Sequence, residues 1–546
     1  MNAEAIEFQI TEALRQIAHR AGLEGAHPVL EIPRNSEYGD LSSNLAMTTA
    51  ALVGLKPRVW AEKIAAEFPL SSSGVERVEI AGPSFLNFHL SRRYFLNLLS
   101  EILAQPDSFG SADSGRGQRW LFEFVSANPT GPLNIVSARA ASVGDALVRI
   151  FNKLGYEAHS EFYVNDGGRQ VRLLGASLKA RLNQIENSAL DAEFPVEGYR
   201  GEYVFDLARS WREENGDTDP PDDDRVGRWA ADKLRDEQER TLSQFRVKFN
   251  RWFRESEIYS GKRDQDAIER LRSKEAVYVK DGALFFQASR FGDDEDRVLV
   301  KSDGSCTYVV PDIAYHLDKK QRGFDRAVDL LGPDHHGYID RMRAALKALD
   351  LPDDFLQAIL VQQVNLKRGG VEVKMSKRAG QMVTLEELIE EVGVDAARFF
   401  FLRRRITSPL DFDINLAQRH NDENPVFYVQ YAHARIKSIL RQPAAEKLIS
   451  REPDLALLGE AEELDLLRVL ARFPWTLTAV ARRVDPHPLT GYLIELARAF
   501  HLFYTRHRVI GADDSLSCAR LALSRGAAEV IRSGLSLIGV EAPEKM

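Results

Sequence analysis

Hydrophobic positions in the first ~110 residues predict a separate α+β unit. Apolar residues recur at helical spacing at Ile6, Ile10, Leu14 and Ile17. Two short apolar runs, VERVEI and FLNFHL, lie on either side of Ala81-Gly82-Pro83 and predict two strands. The glycines and serines between residues 110 and 117 predict a boundary loop. We therefore predict an N-terminal α+β domain over residues 1–112.

Short apolar runs then alternate with helical stretches, which is the pattern of an α/β domain. WLFEFV at 120–125 predicts a buried strand, and a Pro/Gly turn leads from it into an amphipathic helix. Four further runs predict strands of a parallel sheet: ALFF at 283–286, RVLV at 297–300, AVDLLG at 327–332 and AILVQQV at 358–364. A charged, helix-rich segment at about 165–280 interrupts them. The pattern predicts a nucleotide-binding α/β domain over 113–410 with a helical insertion.

The remaining residues, 411–546, are predicted to be helical nearly throughout. Val426, Val429 and Ile436 form part of an apolar stripe on one predicted helix. Aromatic and basic residues share faces on two helices: Tyr428, Tyr431 and Arg435 on the first, and Arg498, His501, Thr505 and Arg508 on the second. Such faces suit a nucleic-acid backbone and stacked bases. Spacing alone is equally compatible with solvated helix faces carrying half-buried tyrosines.

Composition narrows the class of protein. Of 546 residues, 44% are hydrophobic and 28% are charged, which is ordinary for a globular protein. Lys and Arg number 72 against 81 Asp and Glu, and the net charge of −9 argues against non-specific coating of nucleic acid. The two cysteines cannot form a four-thiolate zinc site and suit a reducing cytoplasm. We see no export signal and no apolar run long enough to span a membrane, so we expect a cytoplasmic protein without a membrane partner.

The stretch FEFVSANPTGPLNIVSARAASVGDAL, at 122–147, carries candidate chemistry. A rigid turn leads from a strand into a helix, and the start of a helix offers unpaired N–H groups and a positive dipole end to phosphates. A connecting loop without a ligand fits the same turn chemistry equally well.

The second candidate stretch is VKMSKRAGQMVTLEEL, at 373–388. Lys374, Lys377 and Arg378 lie beside Gly380, just before a helix that we predict to be capped by Thr384 with Glu387. Such a loop could close over a triphosphate and neutralise charge that develops during displacement at phosphorus. A basic hexamer alone is more often a solvated loop.

In this order, the two stretches resemble the paired signatures of class I aminoacyl-tRNA synthetases, and SANPTGPL resembles the form seen in arginyl-tRNA synthetases. Further segments are similar to that family in the expected order: YGDLSSNLAM, GPSFLNFHL, FYVNDGGRQ, YRGEYV, SDGSCTYVVPDIAYH, GPDHHGY, LDFDINLA, ENPVFYVQYAHARI and APEKM. The resemblance implies a Rossmann-like class I catalytic domain, an N-terminal domain that contacts tRNA and an all-α anticodon-binding bundle at 411–546.

The resemblance also implies the reaction and its participants. L-Arginine would be activated by ATP, accompanied by Mg²⁺, to arginyl-adenylate, and then transferred to the 3′ end of tRNA(Arg). A guanidinium is a planar five-donor fork, so it requires carboxylates and carbonyl groups as partners. No zinc is expected, and we expect a monomer.

By resemblance, individual residues receive roles. Glu123 and Asn128 would hold the ammonium and carboxylate end of arginine, and Tyr308 and Asp312 would contact its side chain. Asp334, His335 and His336 would lie near the arginine or the nucleotide. The other implied ATP-site residues are Pro129, Gly131, Asn134, Val136, Ser137, Lys374, Met375, Ser376 and Lys377; of these, Asn134, Ser137, Lys374 and Lys377 would be catalytic. Asn44, Tyr428, Tyr431, Arg435, Arg498 and Arg508 would contact tRNA.

One segment departs from the family. The family continues SANPTGPL with a His-x-Gly-His quartet, whereas this chain has Asn134-Ile135-Val136-Ser137. Loss of one preorganised transition-state donor typically costs about 10²–10³ in rate, although Asn134 and Ser137 still carry donors. Val136 would occupy space that the adenine uses when glycine is present.

Three interpretations of the departure follow. The first, which we favour, is a working ligase with a compensated signature. The second is a synthetase-like protein that binds arginine or tRNA but has impaired or no activity. The third is another nucleotide-binding α/β protein, which the distributed motifs disfavour.

Overall fold

The computed structural model describes residues 3–33, 36–70, 73–186, 194–216, 222–333, 336–373, 383–511 and 513–546. Among these residues, no helix combines the length and apolarity that a membrane span requires.

The N-terminal unit is a four-stranded antiparallel sheet covered by helices. In chain order, its elements are α1 (Ala3–Arg20), β1 (Leu30–Glu31), β2 (Leu41–Ser43), α2 (Leu45–Thr49), α3 (Pro57–Glu67), β3 (Val75–Ala81), β4 (Phe85–Leu90) and α4 (Arg92–Ala104). The strands pair in the order β1-β2-β4-β3. Ile6, Ile10 and Leu14 are fully buried on α1, as the helical spacing predicts. The two predicted strands are β3 and β4.

The central unit is built around a five-stranded parallel sheet. Its first elements are β5 (Arg119–Glu123), α5 (Ile135–Lys153), β6 (Glu157–Val164), α6 (Gly168–Glu186), α7 (Tyr203–Asn215), α8 (Asp223–Gln244), β7 (Arg251–Arg254), α9 (Ser256–Ser260) and α10 (Arg263–Ser273). They are followed by β8 (Val277–Lys280), β9 (Ala283–Phe286), α11 (Ala288–Phe291), β10 (Arg297–Val300), α12 (Val309–Gln321), β11 (Arg326–Leu331), α13 (His336–Ala348) and β12 (Leu356–Leu360). The parallel strands lie in the order β12-β11-β5-β6-β7. Strand β5, whose last two residues begin the first candidate stretch, therefore lies at the centre of the sheet.

Two of the strands predicted for the parallel sheet belong elsewhere. ALFF and RVLV are β9 and β10, and they pair antiparallel with each other and with β8 in a separate three-stranded sheet. The prediction of parallel pairing is wrong for these two runs, because an apolar run reports burial but not the partner or direction of a strand.

Helices α6, α7 and α8 form the helical part of the predicted insertion and enclose a hydrophobic core of their own. Helices α6 and α8 approach closely at two glycines: a Cβ on Gly175 would lie 2.0 Å from the Asp223 carbonyl oxygen, and one on Gly227 would lie 2.1 Å from that of Val171. The chain then returns to the central sheet as its edge strand β7. The predicted span of 165–280 thus contains a strand of the main sheet as well as the helical insertion.

The segment after β12 links the sheet to the helical unit. It contains β13 (Val364–Arg368), β14 (Val371–Glu372), α14 (Leu385–Val392), α15 (Val394–Phe401) and β15 (Leu410–Asp413). Strand β13 pairs parallel with β15 and antiparallel with β14.

The C-terminal unit is helical, as predicted. Its helices are α16 (Ile414–Ala417), α17 (Pro425–Leu440), α18 (Pro443–Ile449), α19 (Ala461–Ala471), α20 (Phe473–Arg483), α21 (His487–Arg506) and α22 (Asp514–Leu537). The N-terminal unit is attached to it: Arg92 on α4 donates to the carbonyl oxygen of Leu458 at 2.6 Å, and Phe109 stacks on Phe473. Val426, Val429 and Ile436 are buried on α17, as predicted.

Candidate active site

Three acidic residues share one register at the carboxyl edge of the central sheet. Glu123 on β5 pairs with Asp329 on β11 and with Glu161 on β6. All three are buried. Because carboxyl ends of parallel strands meet at one edge, strand pairing alone brings these carboxylates together.

A buried lysine neutralises part of this acidic cluster. Lys319 on α12 is fully buried, and its Nζ lies 2.6 Å from Glu123 Oε2 and 2.8 Å from Asp329 Oδ1. His316 Nε2 lies 2.8 Å from the other oxygen of Asp329. Burial opposes ionisation of Asp329, but Lys319 and His316 outweigh it and hold the pKa of this carboxyl group well below its usual range. Asp329 and Lys319 therefore form a charged pair within the sheet edge.

Glu161 is fully engaged by other partners. Tyr315 donates its hydroxyl to one oxygen at 2.7 Å, and the two terminal nitrogens of Arg322 donate to both oxygens at 2.6 and 2.8 Å. Such a bidentate arrangement is the strongest form of arginine–carboxylate pairing. Glu161 thus anchors α12 to the sheet and is not available to a ligand.

Asp312 differs from the other acids because no cation is paired with it. Its carboxyl group forms neither an ion pair nor a hydrogen bond within the part of the chain that the structure describes. Burial, together with repulsion from Glu123 and Glu255, raises the pKa of Asp312 to about 8, against a weaker opposing effect of Arg341. Asp312 as a whole residue is half-buried. It is therefore placed to receive a cation from outside.

The turn after β5 is strained and is attached to the acidic cluster. Val125 and Ser126 have φ values of 70° and 38°, in the left-handed region that residues other than glycine rarely adopt. The hydroxyl of Ser126 donates to Glu123 Oε1 at 2.9 Å and accepts from the Tyr163 N–H at 3.1 Å. Asn128 follows and is exposed, while Pro129 is buried and Gly131 half-buried.

Asn134, the first residue of the altered quartet, is the N-cap of α5. Its Oδ1 accepts from the backbone N–H groups of Val136 and Ser137, both at 2.9 Å. The prediction that this helix start offers unpaired N–H groups is wrong for these two, because the Asn134 side chain satisfies them. Val136 and Ser137 are themselves half-buried.

The structure brings the two candidate stretches together. Asn134 pairs with Thr384 in an isolated antiparallel bridge, and the N–H of Leu385 donates to the carbonyl oxygen of Leu133 at 2.8 Å. Thr384 and Glu387 form the predicted capping box at the start of α14. Lys374, Met375, Ser376 and Lys377 lie outside the described residues, but the chain that follows them is held against the start of α5.

Other predicted arginine-site residues are less closely grouped. Tyr308 precedes α12 and is 84% exposed, so it does not join the buried carboxylates. Asp334 and His335 lie outside the described residues, and His336 begins α13 with its side chain outside the description.

Sequence reasoning missed Lys319, His316 and Asp329. A signal for two of them exists: Asp312, His316 and Lys319 are spaced by four and three positions, so three ionisable residues share one face of this helix. Buried ionisable residues of this kind are rare unless they are paired or functional.

The aromatic and basic residues of the C-terminal unit do cluster. The guanidinium of Arg435 lies 5.2 Å from the ring centroid of Tyr431 and 5.4 Å from that of Tyr504. The ring of Tyr428 lies 4.8 Å from His501. A cavity of about 290 Å³ opens here, lined by Asp422, Phe427, Tyr428, Tyr431 and His501. Aromatic walls with an adjacent cation suit a nucleic-acid base.

Two of the predicted nucleic-acid contacts, Arg508 and Asn44, do not lie on the helix faces that carry the other predicted contacts. Arg508 does not lie on the same helix face as Arg498, because α21 ends at Arg506 and the chain becomes extended at His507, whose side chain binds Glu462 at 2.9 Å. Arg508 is exposed beyond the helix, and Arg498 is exposed on α21. Asn44 precedes α2 in the N-terminal unit and is half-buried, so it belongs to a different surface.

Comparison with known proteins shows which family this chain resembles over its whole length. Three family models match in order: the arginyl-tRNA synthetase N-terminal domain at residues 4–90, the class I (R) tRNA synthetase catalytic domain at 98–401 and the DALR anticodon-binding domain at 429–546. The arginine–tRNA ligase of Shouchella clausii is 42% identical over 552 residues, covering 100% of this chain and 99% of that protein. The arginine–tRNA ligase of Desulfosudis oleivorans is 44% identical, covering 95% and 94%. The arginyl-tRNA synthetase structure from Thermus thermophilus has the same fold, with a TM-score of 0.79 at 22% identity over 98% of this chain and 99% of that chain.

Proposed function

The chain belongs to the arginyl-tRNA synthetase family and is an arginine–tRNA ligase. For this reaction, we propose which of its residues bind each substrate. The family implies arginine, ATP and tRNA(Arg) as its substrates. Asp312 would bind the guanidinium group, Glu123 and Asn128 the ammonium and carboxylate end, and the start of α5 the nucleotide.

The unpaired carboxyl group of Asp312 is the observation that carries the assignment for arginine. A guanidinium that enters the site supplies the cation that Asp312 lacks and offsets its repulsion from Glu123 and Glu255. Lys319 meanwhile satisfies one oxygen of Glu123 and leaves further lone pairs on that carboxylate for the substrate's ammonium. Tyr308, one helical turn before Asp312, would contact the substrate only after its exposed side chain moves inward. Asp334 is proposed to complete this site.

For ATP, we propose a site between the start of α5 and the segment of Lys374 and Lys377, which we call the lysine loop. Pro129, Gly131 and Val136 would line it, and Asn134 and Ser137 would face the phosphates. Asn134 uses its amide oxygen to cap the helix, so its amide N–H groups are the part that would donate to a phosphate. The remaining proposed contacts are His335, His336, Lys374, Met375, Ser376 and Lys377, of which the two lysines would neutralise charge at the α-phosphate.

Two steps follow from this placement. The arginine carboxylate attacks the α-phosphorus and pyrophosphate leaves, which gives arginyl-adenylate. The 3′-terminal ribose hydroxyl of tRNA(Arg) then attacks the arginyl carbonyl and AMP leaves. The protein positions the reacting groups and stabilises charge.

Magnesium is expected to enter with the nucleotide. Within the described ranges, no group of three or more His, Cys, Asp or Glu side chains could hold a metal ion. Phosphate oxygens and water are the ligands that Mg²⁺ prefers, and they suffice for an ion that accompanies ATP. The ion would supply charge neutralisation at the phosphates.

For tRNA, we propose that the aromatic and basic cluster of Tyr428, Tyr431, Arg435 and Arg498 contacts the nucleic acid, with Arg508 beside it and Asn44 on the N-terminal unit. We also propose that the enzyme acts in the cytoplasm, which its two unpaired cysteines suit. It would act as a monomer, because the acidic cluster is complete within one chain.

The test uses arginine and its neutral analogue citrulline, which has the same shape but a ureido group in place of the guanidinium. Arginine-dependent ATP–pyrophosphate exchange by the unaltered chain, with and without tRNA, provides the reference. Asp312→Asn should weaken arginine binding by about 10²–10³ while changing citrulline binding little, because only arginine loses an ion pair. Binding of tRNA should stay unchanged. Equal weakening of both amino acids would overturn the assignment of Asp312.

No observation favours an impaired or inactive synthetase-like protein. The altered quartet keeps α5 capped and in contact with the segment after the lysine loop. Robust exchange by the unaltered chain would show that Asn134 and Ser137 suffice. Exchange that appears only after Asn134→His, Val136→Gly and Ser137→His are combined would show the reverse.

A further inference from the structure

The helical insertion holds the turn that carries Asn128. On α8, Gln238 donates from Nε2 to the carbonyl oxygens of Asn128 and Gly131, at 3.2 and 2.9 Å. On α7, the hydroxyl of Tyr203 donates to the carbonyl oxygen of Thr130 at 2.7 Å. Three carbonyl groups of one short turn are thus bound by two side chains from the same helical bundle.

This turn needs external support because its backbone is strained. It leaves β5 through Val125 and Ser126, both in the left-handed region. Such conformations persist only where the surroundings impose them, and they cluster at functional sites. At the start of the turn, Ser126 is bound to Glu123 of the acidic cluster. At its other end, the helical bundle binds the carbonyl groups of Asn128, Thr130 and Gly131.

Both side chains are built for this contact. Gln238 is 2% exposed, and its amide oxygen has no partner within the described part of the chain, so the donating nitrogen alone accounts for its orientation. The hydroxyl of Tyr203 is protonated at neutral pH and able to donate, and burial raises its pKa further. The same hydroxyl lies 3.3 Å from the position that a Cβ on Gly131 would occupy, so α7 and the turn are in close contact.

We propose that Tyr203 and Gln238 are positioning residues for arginine activation, through which the α6–α8 bundle sets the place of Asn128 and Gly131 in the substrate site. The inference rests on the proposed function of this turn. Neither residue touches a reacting atom. Their effect arises because small displacements of binding groups reduce the population of reactive geometry steeply.

The proposal predicts that residues outside the substrate site affect substrate binding. A change confined to the helical bundle should raise KM for arginine and ATP, even though neither substrate contacts that bundle. Loss of one neutral hydrogen bond corresponds to about a fivefold change.

The experiment measures ATP–pyrophosphate exchange in the full chain with tRNA present. Tyr203→Phe removes one hydroxyl and should raise KM for arginine and ATP about fivefold, with a smaller change in kcat. Gln238→Glu has the same size but presents an acceptor to two carbonyl groups, and should raise both KM values about thirtyfold or more. Binding of tRNA should match the unaltered enzyme in both.

The matched control is Tyr199→Phe. Tyr199 packs against the same bundle core and loses the same atom, but its hydroxyl makes no bond to the turn among the described residues. It should leave both KM values unchanged. An equal rise in the control, or Tyr203→Phe and Gln238→Glu enzymes with unaltered KM values, would overturn the inference.

Asn128→Ala distinguishes this inference from the proposed function. If Asn128→Ala raises KM for arginine but Tyr203→Phe and Gln238→Glu do not, the turn binds substrate and the positioning role is wrong. If the two bundle variants raise KM and Asn128→Ala does not, the positioning role holds and the assignment of the Asn128 side chain fails.

Discussion

Asn134 and Thr384 pair across an isolated antiparallel bridge, although they lie in distant parts of the sequence, and each caps a helix. The start of α5, which carries the altered quartet, is thereby fixed to the segment that follows the lysine loop. The side chain of Asn134 has two possible tasks, helix capping and contact with ATP, and the two can be separated.

Asn134→Ala should remove the cap and lower the free energy of unfolding by about 1 kcal/mol. Asn134→Asp keeps an accepting oxygen and adds a negative charge that suits a helix start, so stability should be retained. The same charge should repel ATP phosphates and raise KM for ATP. Urea unfolding and pyrophosphate exchange measure the two effects. An Asn134→Asp enzyme with unaltered KM for ATP would exclude Asn134 from the nucleotide site.

Arginine binding should release a proton from Asp312. In the free protein, burial and the acids Glu123, Glu255 and Asp329 raise the pKa of Asp312 to about 8, with Arg341 opposing. The guanidinium stabilises the ionised form, so the bound group has a lower pKa. The dissociation constant for arginine should therefore increase about tenfold for each pH unit from 8 down to 6. Calorimetry in buffers of different ionisation enthalpy counts the proton, and Asp312→Asn should remove the dependence.

The same residue should reduce the stability of the ligand-free fold at neutral pH. The pKa of Asp312 is about 8 in the folded protein against 3.8 ordinarily, so the folded state holds an extra proton between these values. Stability due to this group therefore falls as pH rises from about 4 to about 8. Asp312→Asn should be more stable than the unaltered protein by on the order of 5 kcal/mol at pH 8, and equal to it near pH 4. A stability difference that does not depend on pH would contradict this.

Lys319 should be required for the stability of the acidic cluster formed by Glu123, Glu161 and Asp329. Lys319→Met leaves Glu123 buried without its cation and Asp329 with His316 alone, and should cost about 3–5 kcal/mol. Adding Asp329→Asn should recover part of that loss, since it removes one of the two carboxylates that lose Lys319. Chemical denaturation of the two single variants and the double variant gives the coupling. A cost below 1 kcal/mol for Lys319→Met would show that the carboxylates find other partners.

Arg498 provides a test of the tRNA surface. It is exposed on α21 close enough to Tyr428 to affect the pKa of that phenol. If it contacts one phosphate, Arg498→Gln should weaken tRNA binding and make the slope of log K against log salt shallower by roughly 0.7–0.9. Arg482→Gln, a change to an exposed arginine on α20, serves as the control and should leave the slope unaltered. Equal slopes for both variants would favour a merely solvated helix face.

Local elements were predictable where the pattern reports on the chain itself. The stripe on α1, strands β3 and β4, strand β5 and the capping box at Thr384 all follow from spacing and residue type. Strands β9 and β10 were assigned to the wrong sheet because apolar runs do not specify a partner. The end of α21 before Arg508 was missed because no glycine or proline marks it.

The sequence by itself determined the family, the order of the three units and the periodic elements, since these depend on motifs and on neighbours within a few residues. Only the tertiary structure decided that Glu123, Glu161 and Asp329 share one register, that Lys319 lies between two of them and that Asp312 lacks a cation. Tertiary structure also decided that Asn134 is a cap facing Thr384 and that Gln238 supports the turn. The physical reason is that strand register and buried charge pairing join residues far apart in the chain, and neither leaves a period in the sequence.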